Sequence, residues 1–186
     1  RDLLQNFSIL LCNARSLKDK FDELNVIATT TNPTVIAVTE TWLTPITTDA
    51  QINLNDMNIY RSDRFGKTGG GVAIWAKKSL EFSHCMFYKT HHSSMDFACI
   101  HSKKTKLILC AIYIPPIITA ADKVKINDFM ISHYDTHMLQ DPNVNIIILG
   151  DFNTFDLNTI SNNLNMINVV NKATRGSNIL DKVLVC

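Results

Sequence analysis

The stretch at residues 145–153, Asn-Ile-Ile-Ile-Leu-Gly-Asp-Phe-Asn, constrains the fold of this chain more than any other. Ile146, Ile147, Ile148 and Leu149 form an unbroken apolar run of mostly β-branched residues. Such a run predicts a strand covered on both faces. Gly150 is expected to end it. Strand alternation then sends Asp151 and Asn153 to one side and Phe152 to the other. A carboxylate and a carboxamide would stand together at the end of a buried strand, where open α/β sheets place ligand chemistry. An ordinary turn also uses Asp and Asn after Gly, so the rest of the chain has to decide between the two.

The segments before this stretch alternate strand and helix. Residues 8–13 read as a strand, and a helix is expected from Ser16, with Asp19 completing an approximate capping box. Residues 34–39 read as a second strand; strand, helix and strand within about 30 residues is the length of a βαβ-like unit. Residues 43–56 read as a polar loop. Strands are expected at 57–61, 72–76, 80–88, 94–101 and 107–114, with a turn at 65–71 and a hairpin at Lys103, Lys104 and Thr105. A helix is expected over 120–139, with Ile126, Phe129 or Met130, His133 and His137 on one face. A short helix near 157–164, a strand near 166–170, a loop through 174–178 and a strand from Ile179 complete the pattern. Many strands with a few helices between them predict an α/β fold: a four-layered sandwich of two mixed sheets packed face to face, helices outside.

The chain of 186 residues, 46% hydrophobic, reads as one domain over 1–186. No run approaches the roughly 18 apolar residues of a membrane span. The sequence opens on Arg1 and Asp2 without an initiator Met and stops at Cys186 inside an expected strand. It therefore reads as a piece of a longer chain. Cys12, Cys85, Cys99, Cys110 and Cys186 are odd in number and show no C-x-x-C spacing. They are expected to be free, mostly buried thiols in a reducing compartment. The net charge of +1 is unevenly spread: residues 61–106 hold 9 basic and 3 acidic groups, net +6. Such a stretch suits a polyanion, and Arg61, Arg64 and Lys67 are its candidate contacts.

Other motifs carry less. Gly66, Lys67 and Thr68 lack the preceding glycine and following helix of a phosphate loop. His133 and His137, at i and i+4, have no His-Glu-x-x-His and no evident third ligand, so they read as surface or face packing. No Gly-x-Ser-x-Gly occurs, which argues against a serine hydrolase. Trp42 and Trp75 are expected in the core.

Asn13, Glu40, Tyr113, Asp151, Asn153 and Asp181 share a position type, each at or near the end of an expected strand. Polar groups that end apolar strands are costly if buried without partners. Several meeting at one edge would form a pocket of hard oxygen ligands, which suits Mg²⁺ and not zinc.

Asn13-Ala-Arg-Ser16, Glu40-Thr-Trp42, Gly69-Gly-Gly-Val-Ala-Ile74, Tyr113-Ile-Pro115, Gly150-Asp-Phe-Asn153 and Thr174-Arg-Gly-Ser-Asn-Ile-Leu-Asp181 occur in that order. In order and spacing they resemble the endonuclease domain of non-LTR (LINE-type) retrotransposons, in particular the jockey and chicken-repeat groups. That domain belongs to the endonuclease/exonuclease/phosphatase superfamily. The resemblance implies a metal-dependent enzyme that nicks double-stranded DNA and leaves a 3′-hydroxyl primer. It also implies a reverse transcriptase downstream in the same polyprotein, and work in the nucleus. By the same resemblance Glu40 would bind Mg²⁺ (Mn²⁺ as an alternative), with Asn13 beside it. Asp151 would orient or deprotonate water, and Asn153 and Tyr113 would hold phosphate oxygens. Thr174 would contact substrate, and Asp181 would orient a histidine. That histidine belongs to a Ser-Asp-His motif that this sequence lacks, so the chain is expected to be C-terminally truncated, without its last strands. Two other readings follow from the same motifs: an apurinic-site or other phosphodiesterase or phosphatase, and a degenerate DNA-docking remnant without activity.

Overall fold

The computed structural model describes residues 7–64, 66, 68–85 and 94–186. Among them are two mixed sheets. In the four-stranded sheet, β1 (Ile9–Asn13) lies parallel to β2 (Val35–Thr39). β2 pairs antiparallel with β4 (Val72–Lys77), and β4 pairs likewise with β3 (Met57–Ser62). The second sheet runs β5 (Ser83–His84), β6 (Asp96–Ser102), β7 (Leu107–Tyr113), β8 (Asn145–Asp151), β10 (Asp181–Val185) and β9 (Ile167–Asn168). Only its β7–β8 pair is parallel.

Apolar periodicity builds the layers. Every residue of β2 and of β7 is buried, as expected for central strands with side chains packed on both faces. Val35, Ala37, Val72 and Ile74 of the first sheet meet Ile100, Leu109, Ala111 and Leu149 of the second. The opposite face of the first sheet packs Ile36, Val38 and Trp75 against Leu24 of helix α1 (Phe21–Thr31). The outer face of the second sheet packs Ile112, Ile146 and Ile148 against α2 (Ala120–Gln140) and α3 (Asn158–Leu164). The order helix, sheet, sheet, helices is the expected four-layered sandwich.

α2 starts at a capping box: Thr119 accepts from the Asp122 N–H at 3.1 Å, and Asp122 reaches back to Thr119. Ile126, Met130, His133 and His137 are its buried residues, four positions of one stripe. Phe129, the other candidate for that stripe, is only partly buried.

Local structure departs from the sequence pattern in several places. α1 begins at Phe21, not Ser16, because Arg15 and Ser16 have φ of 45° and 84°. A left-handed pair cannot open a right-handed helix; the Ser16 hydroxyl instead accepts from the Lys18 N–H. Residues 43–56 are not simply polar loop: Leu43, Ile52 and Leu54 are buried, and the Trp75 indole donates to the Ile52 carbonyl at 2.9 Å. The strand expected at 80–88 shrinks to Ser83–His84, with 86–88 outside the described residues. Trp75 is in the core, but Trp42 is 43% exposed at φ 55°. Its place is a loop against Gly69, not a strand. Gly150 does not end β8, which runs through it to Asp151. There the strand passes β7 so closely that a Cβ on Gly150 would sit 1.8 Å from the Ile112 carbonyl oxygen. Among the described residues, no helix is long and apolar enough to cross a membrane.

Candidate active site

Strand register places the polar residues. Along the second sheet, Asp96 pairs with Tyr113, Tyr113 with Asp151, and Asp151 with Asp181. One lateral row therefore crosses four neighbouring strands at one edge. Parallel β7 and β8 end at this row, and antiparallel β6 and β10 begin there. The first sheet contributes Asn13 at the end of β1 and Glu40 just past β2, held at φ 50°.

Asn13 joins the two sheets. Its amide nitrogen donates to Glu40 Oε1 and to Asp151 Oδ2, each at 2.7 Å. An amide carries two N–H donors, so both are used on carboxylates. The Asn13 carbonyl oxygen accepts from the Arg15 N–H at 3.1 Å. Asp151 is fully buried. Its Oδ1 accepts the Asn153 backbone N–H at 2.9 Å, and the Asn153 side-chain amide donates to the Ile114 carbonyl at 2.7 Å. Both Asp151 oxygens are thus fixed by neutral donors, and Asn153 at φ 47° wraps the chain around them.

The charge balance here is negative. Asp151 and Asp181 face the partly exposed Arg175 guanidinium, 3.4 Å from Asp151 Oδ2, and Asp151 also feels Lys182, while Glu40 adds a third carboxylate across the Asn13 bridge. Asp181 Oδ1 is buried with no hydrogen-bond partner among the described residues. Burial pushes the Asp181 carboxyl above the usual range, opposed by a hydrogen bond from Thr174 and reinforced by the Asp151 charge. Burial also pushes the Tyr113 phenol up to about 12, with the Glu40 charge adding to it. The phenol therefore stays protonated near neutral pH and keeps its donor. Arg64 lies 5.5 Å over the Tyr113 ring and grips Asp96 through Nε at 3.1 Å.

Buried carboxylates with too little positive charge are stable only if something compensates them. Carboxylate and amide oxygens with an orphaned acid beside them form a hard donor set, and a divalent Mg²⁺ or Mn²⁺ fits it.

A family model described as the Endonuclease/Exonuclease/phosphatase family matches residues 6–186. The chain belongs to the endonuclease/exonuclease/phosphatase family. Members of this family are metal-dependent phosphoesterases, acting on phosphodiesters or phosphate monoesters, and typically use a divalent metal. A search of the curated proteins finds no match. Among solved structures, the catalytic domain of human Nocturnin aligns with TM-score 0.70 and 11% identity, covering 100% of this chain and 83% of its own. The endonuclease domain of TRAS1, a telomere-specific non-LTR retrotransposon, aligns with TM-score 0.64 and 14% identity over 96% of this chain and 83% of its own. An AP endonuclease from Archaeoglobus fulgidus gives 0.62 and 12% over 96% and 86%. At these identities the likeness is one of fold.

In this family member, Asn13, Glu40, Tyr113, Asp151, Asn153 and Asp181 gather at one sheet edge. Thr174 is adjacent: its hydroxyl accepts from the Leu180 and Asp181 N–H groups at 3.0 and 3.1 Å. That turn aims Arg175 at Asp151. Arg61 is engaged elsewhere, with Asp49 and Asp63 at 3.3 Å each and the Thr47 carbonyl at 2.5 Å. Lys67 lies outside the described residues. Sequence reasoning missed two participants, Arg175 and Asp96. Arg175 lies in the Thr174–Asp181 stretch, and Asp96 opens a strand whose next four residues, Phe97 to Ile100, are apolar.

Proposed function

We propose that this chain is a divalent-metal-dependent DNA endonuclease, the target-nicking domain of a non-LTR retrotransposon polyprotein. The observation that carries the reading is the Asn13 bridge between Glu40 and Asp151, 2.7 Å to each, beside the orphaned Asp181 oxygen. The retrotransposon assignment rests on the motif order, above all on the turn from Thr174 to Asp181. A reverse transcriptase in the same polyprotein and a nuclear site of action come with that assignment.

Phosphodiester hydrolysis concentrates negative charge on the non-bridging and leaving oxygens. Glu40, with Asn13 beside it, would hold Mg²⁺, which when bound offsets that charge. Asn13 acts as a clamp, setting the spacing of the Glu40 and Asp151 carboxylates. Asp151 orients the attacking water and takes its proton, an effect worth about 10²–10⁴-fold. Its two oxygens are directed by Asn13 and by the Asn153 N–H, so the base is positioned before substrate arrives. The protonated Tyr113 phenol and the remaining Asn153 amide N–H donate to phosphate oxygens. Arg175 lies at the mouth of the site, where a phosphate would draw it from Asp151. Thr174 holds the turn that carries Arg175.

The test is a substrate panel: supercoiled plasmid, a duplex with one apurinic site, a 3′-phosphorylated duplex and an inositol polyphosphate, each with Mg²⁺ or EDTA. The proposal expects nicked plasmid with extendable 3′-hydroxyl ends and no preference for the apurinic duplex. Turnover confined to the apurinic site or to phosphate monoesters would assign another family activity. DNA binding without turnover would make the chain a docking domain.

A further inference from the structure

On the outer face of the six-stranded sheet, away from the carboxylate edge, three thiols and two imidazoles gather beneath α2. Neighbouring strands supply the thiols. Cys99 of β6 and Cys110 of β7 are register partners, and the Cys85 N–H just past β5 donates to the Cys99 carbonyl at 3.0 Å. The three side chains stand in a row: Cys85 Sγ is 3.0 Å from Cys99 Sγ, which is 3.3 Å from Cys110 Sγ. α2 supplies the imidazoles at i and i+4, the spacing that puts two side chains on one face. His133 Nε2 is 3.5 Å from Cys99 Sγ and 3.3 Å from Cys110 Sγ. The His137 ring stands perpendicular to that of His133, centroids 4.6 Å apart.

The donor atoms fall into two trios. Those of Cys99, Cys110 and His133 lie within 4.8 Å of one another, as do those of Cys85, Cys99 and His137. Cys99 belongs to both. Metal–ligand bonds of about 2.3 Å to sulfur and 2.0 Å to nitrogen put tetrahedral donors roughly 3.3–3.8 Å apart. The first trio, at 3.3–3.5 Å, stands at the short end of that range. Every donor is sulfur or imidazole nitrogen, with no carboxylate among them. That set selects Zn²⁺ or Cu⁺ and rejects Mg²⁺. The walls are apolar, with Ile108, Ile112, Ile126 and Met130 in the same core cluster, where five soft donors serve packing less well than aliphatic side chains would.

We propose that one of these trios, Cys99 with Cys110 and His133 or Cys99 with Cys85 and His137, binds a soft d¹⁰ metal ion, Zn²⁺ or Cu⁺, that ties α2 to the second sheet. Each ligating thiol releases its proton to solvent as the ion enters. Cys99 is a ligand in either trio. The ion sits a short way along the same strands from the reactive edge: Cys110 precedes Tyr113, and Cys99 follows Asp96, by three residues each. It is a structural ion, separate from the one at Glu40.

The test uses the reduced, metal-stripped chain. It is titrated with Co²⁺ and then Zn²⁺ under argon, or with Cu⁺ against a copper-specific chelator, and metal content is measured after gel filtration. Thiolate-to-cobalt charge-transfer absorption distinguishes this site from the carboxylates, which cannot give it. The expected result is about one tightly held ion per chain, with the absorption present and the cluster thiols protected from alkylation. Release of cobalt by Zn²⁺, or retention of Cu⁺ against the chelator, says which ion the site prefers. Cys99→Ser should weaken retention at least about 10-fold, whereas Cys186→Ser, at an exposed thiol, should not. A folded wild-type chain that shows no such absorption and retains no Cu⁺ would overturn the proposal. So would absorption that survives unchanged in Cys99→Ser.

Discussion

Asn13 Nδ2 lies 2.7 Å from Asp151 Oδ2, although 138 positions separate the two residues in the chain. The bond crosses from one sheet to the other at the edge where both sheets expose their polar strand ends. Its partner bond to Glu40 makes Asn13 a fixed spacer between two carboxylates. Removing one preorganised group of this kind costs about 10²–10³ in rate. Asn13→Ala is therefore expected to lower Mg²⁺-dependent nicking by that factor while circular dichroism stays unchanged. A variant that nicks like the wild type would remove Asn13 from the account.

Asp181 makes stability depend on pH. Burial first, then the Asp151 charge, raises its carboxyl, with Thr174 and Arg175 working against the rise. Cys12 also faces Asp181, its own thiol pushed up to about 11 by burial and by that carboxylate. An acid whose pKa is higher folded than unfolded binds its proton more tightly in the native state. Stability is then lost as pH rises from the ordinary carboxylate value, about 3.9, through the raised one. The metal-free chain should show a melting temperature that falls across this window, and Asp181→Asn should flatten that fall. Identical profiles for the two would refute the assignment.

The orphaned Asp181 oxygen also bears on rate. By the family resemblance it would orient the imidazole of a Ser-Asp-His motif. Residues 1–186 alone are expected to nick about 10²–10³-fold more slowly than a chain extended by that motif. Equal rates, measured on the same plasmid, would make the imidazole dispensable.

Much of this edge was legible because strand ends are marked by composition. Apolar runs stop at Asn13, Tyr113 and Asp151, and strand periodicity says where each side chain goes. What was not legible depends on register between distant strands. Nothing in the spacing of Cys85, Cys99 and Cys110 says that they stand side by side. His133 and His137 show no third soft donor in the sequence pattern, and only the pairing of β6 with β7 sets Cys99 and Cys110 beside His133. The start of α1 is misread because a capping box can be spelled by residues whose backbone is left-handed. Arg61 looks like a free cation in a basic stretch, and Asp49 and Asp63 hold it.

That engagement is itself testable. Each phosphate neutralised by a protein cation adds about 0.9 to the salt slope of log K for duplex DNA. Arg61→Gln should leave the slope unchanged, since its guanidinium is already committed to acids and carbonyls. A slope shallower by about 0.9 would show that Arg61 releases those partners to bind DNA.

Gly150 sets the limit on what β8 tolerates. Its φ of 149° and the 1.8 Å approach of the Ile112 carbonyl leave no room for a Cβ. Gly150→Ala adds strain and overpacking, together about 2–6 kcal/mol. Urea unfolding should show a large fall in midpoint; a loss of stability below about 1 kcal/mol would mean that β7 and β8 separate easily.

The central claim is that Glu40, Asn13 and Asp151 act as one metal-dependent unit. It is tested most directly by supercoiled-plasmid nicking with Mg²⁺, comparing the wild-type chain, Glu40→Gln, Asp151→Asn and the double variant. The wild type should nick slowly and in an EDTA-sensitive way, with a drop of at least about 10²-fold in each single variant. The double variant should be little worse than either, because groups that act as a unit are not additive. Nicking that persists at the wild-type rate in Asp151→Asn, or that is indifferent to EDTA, would contradict it.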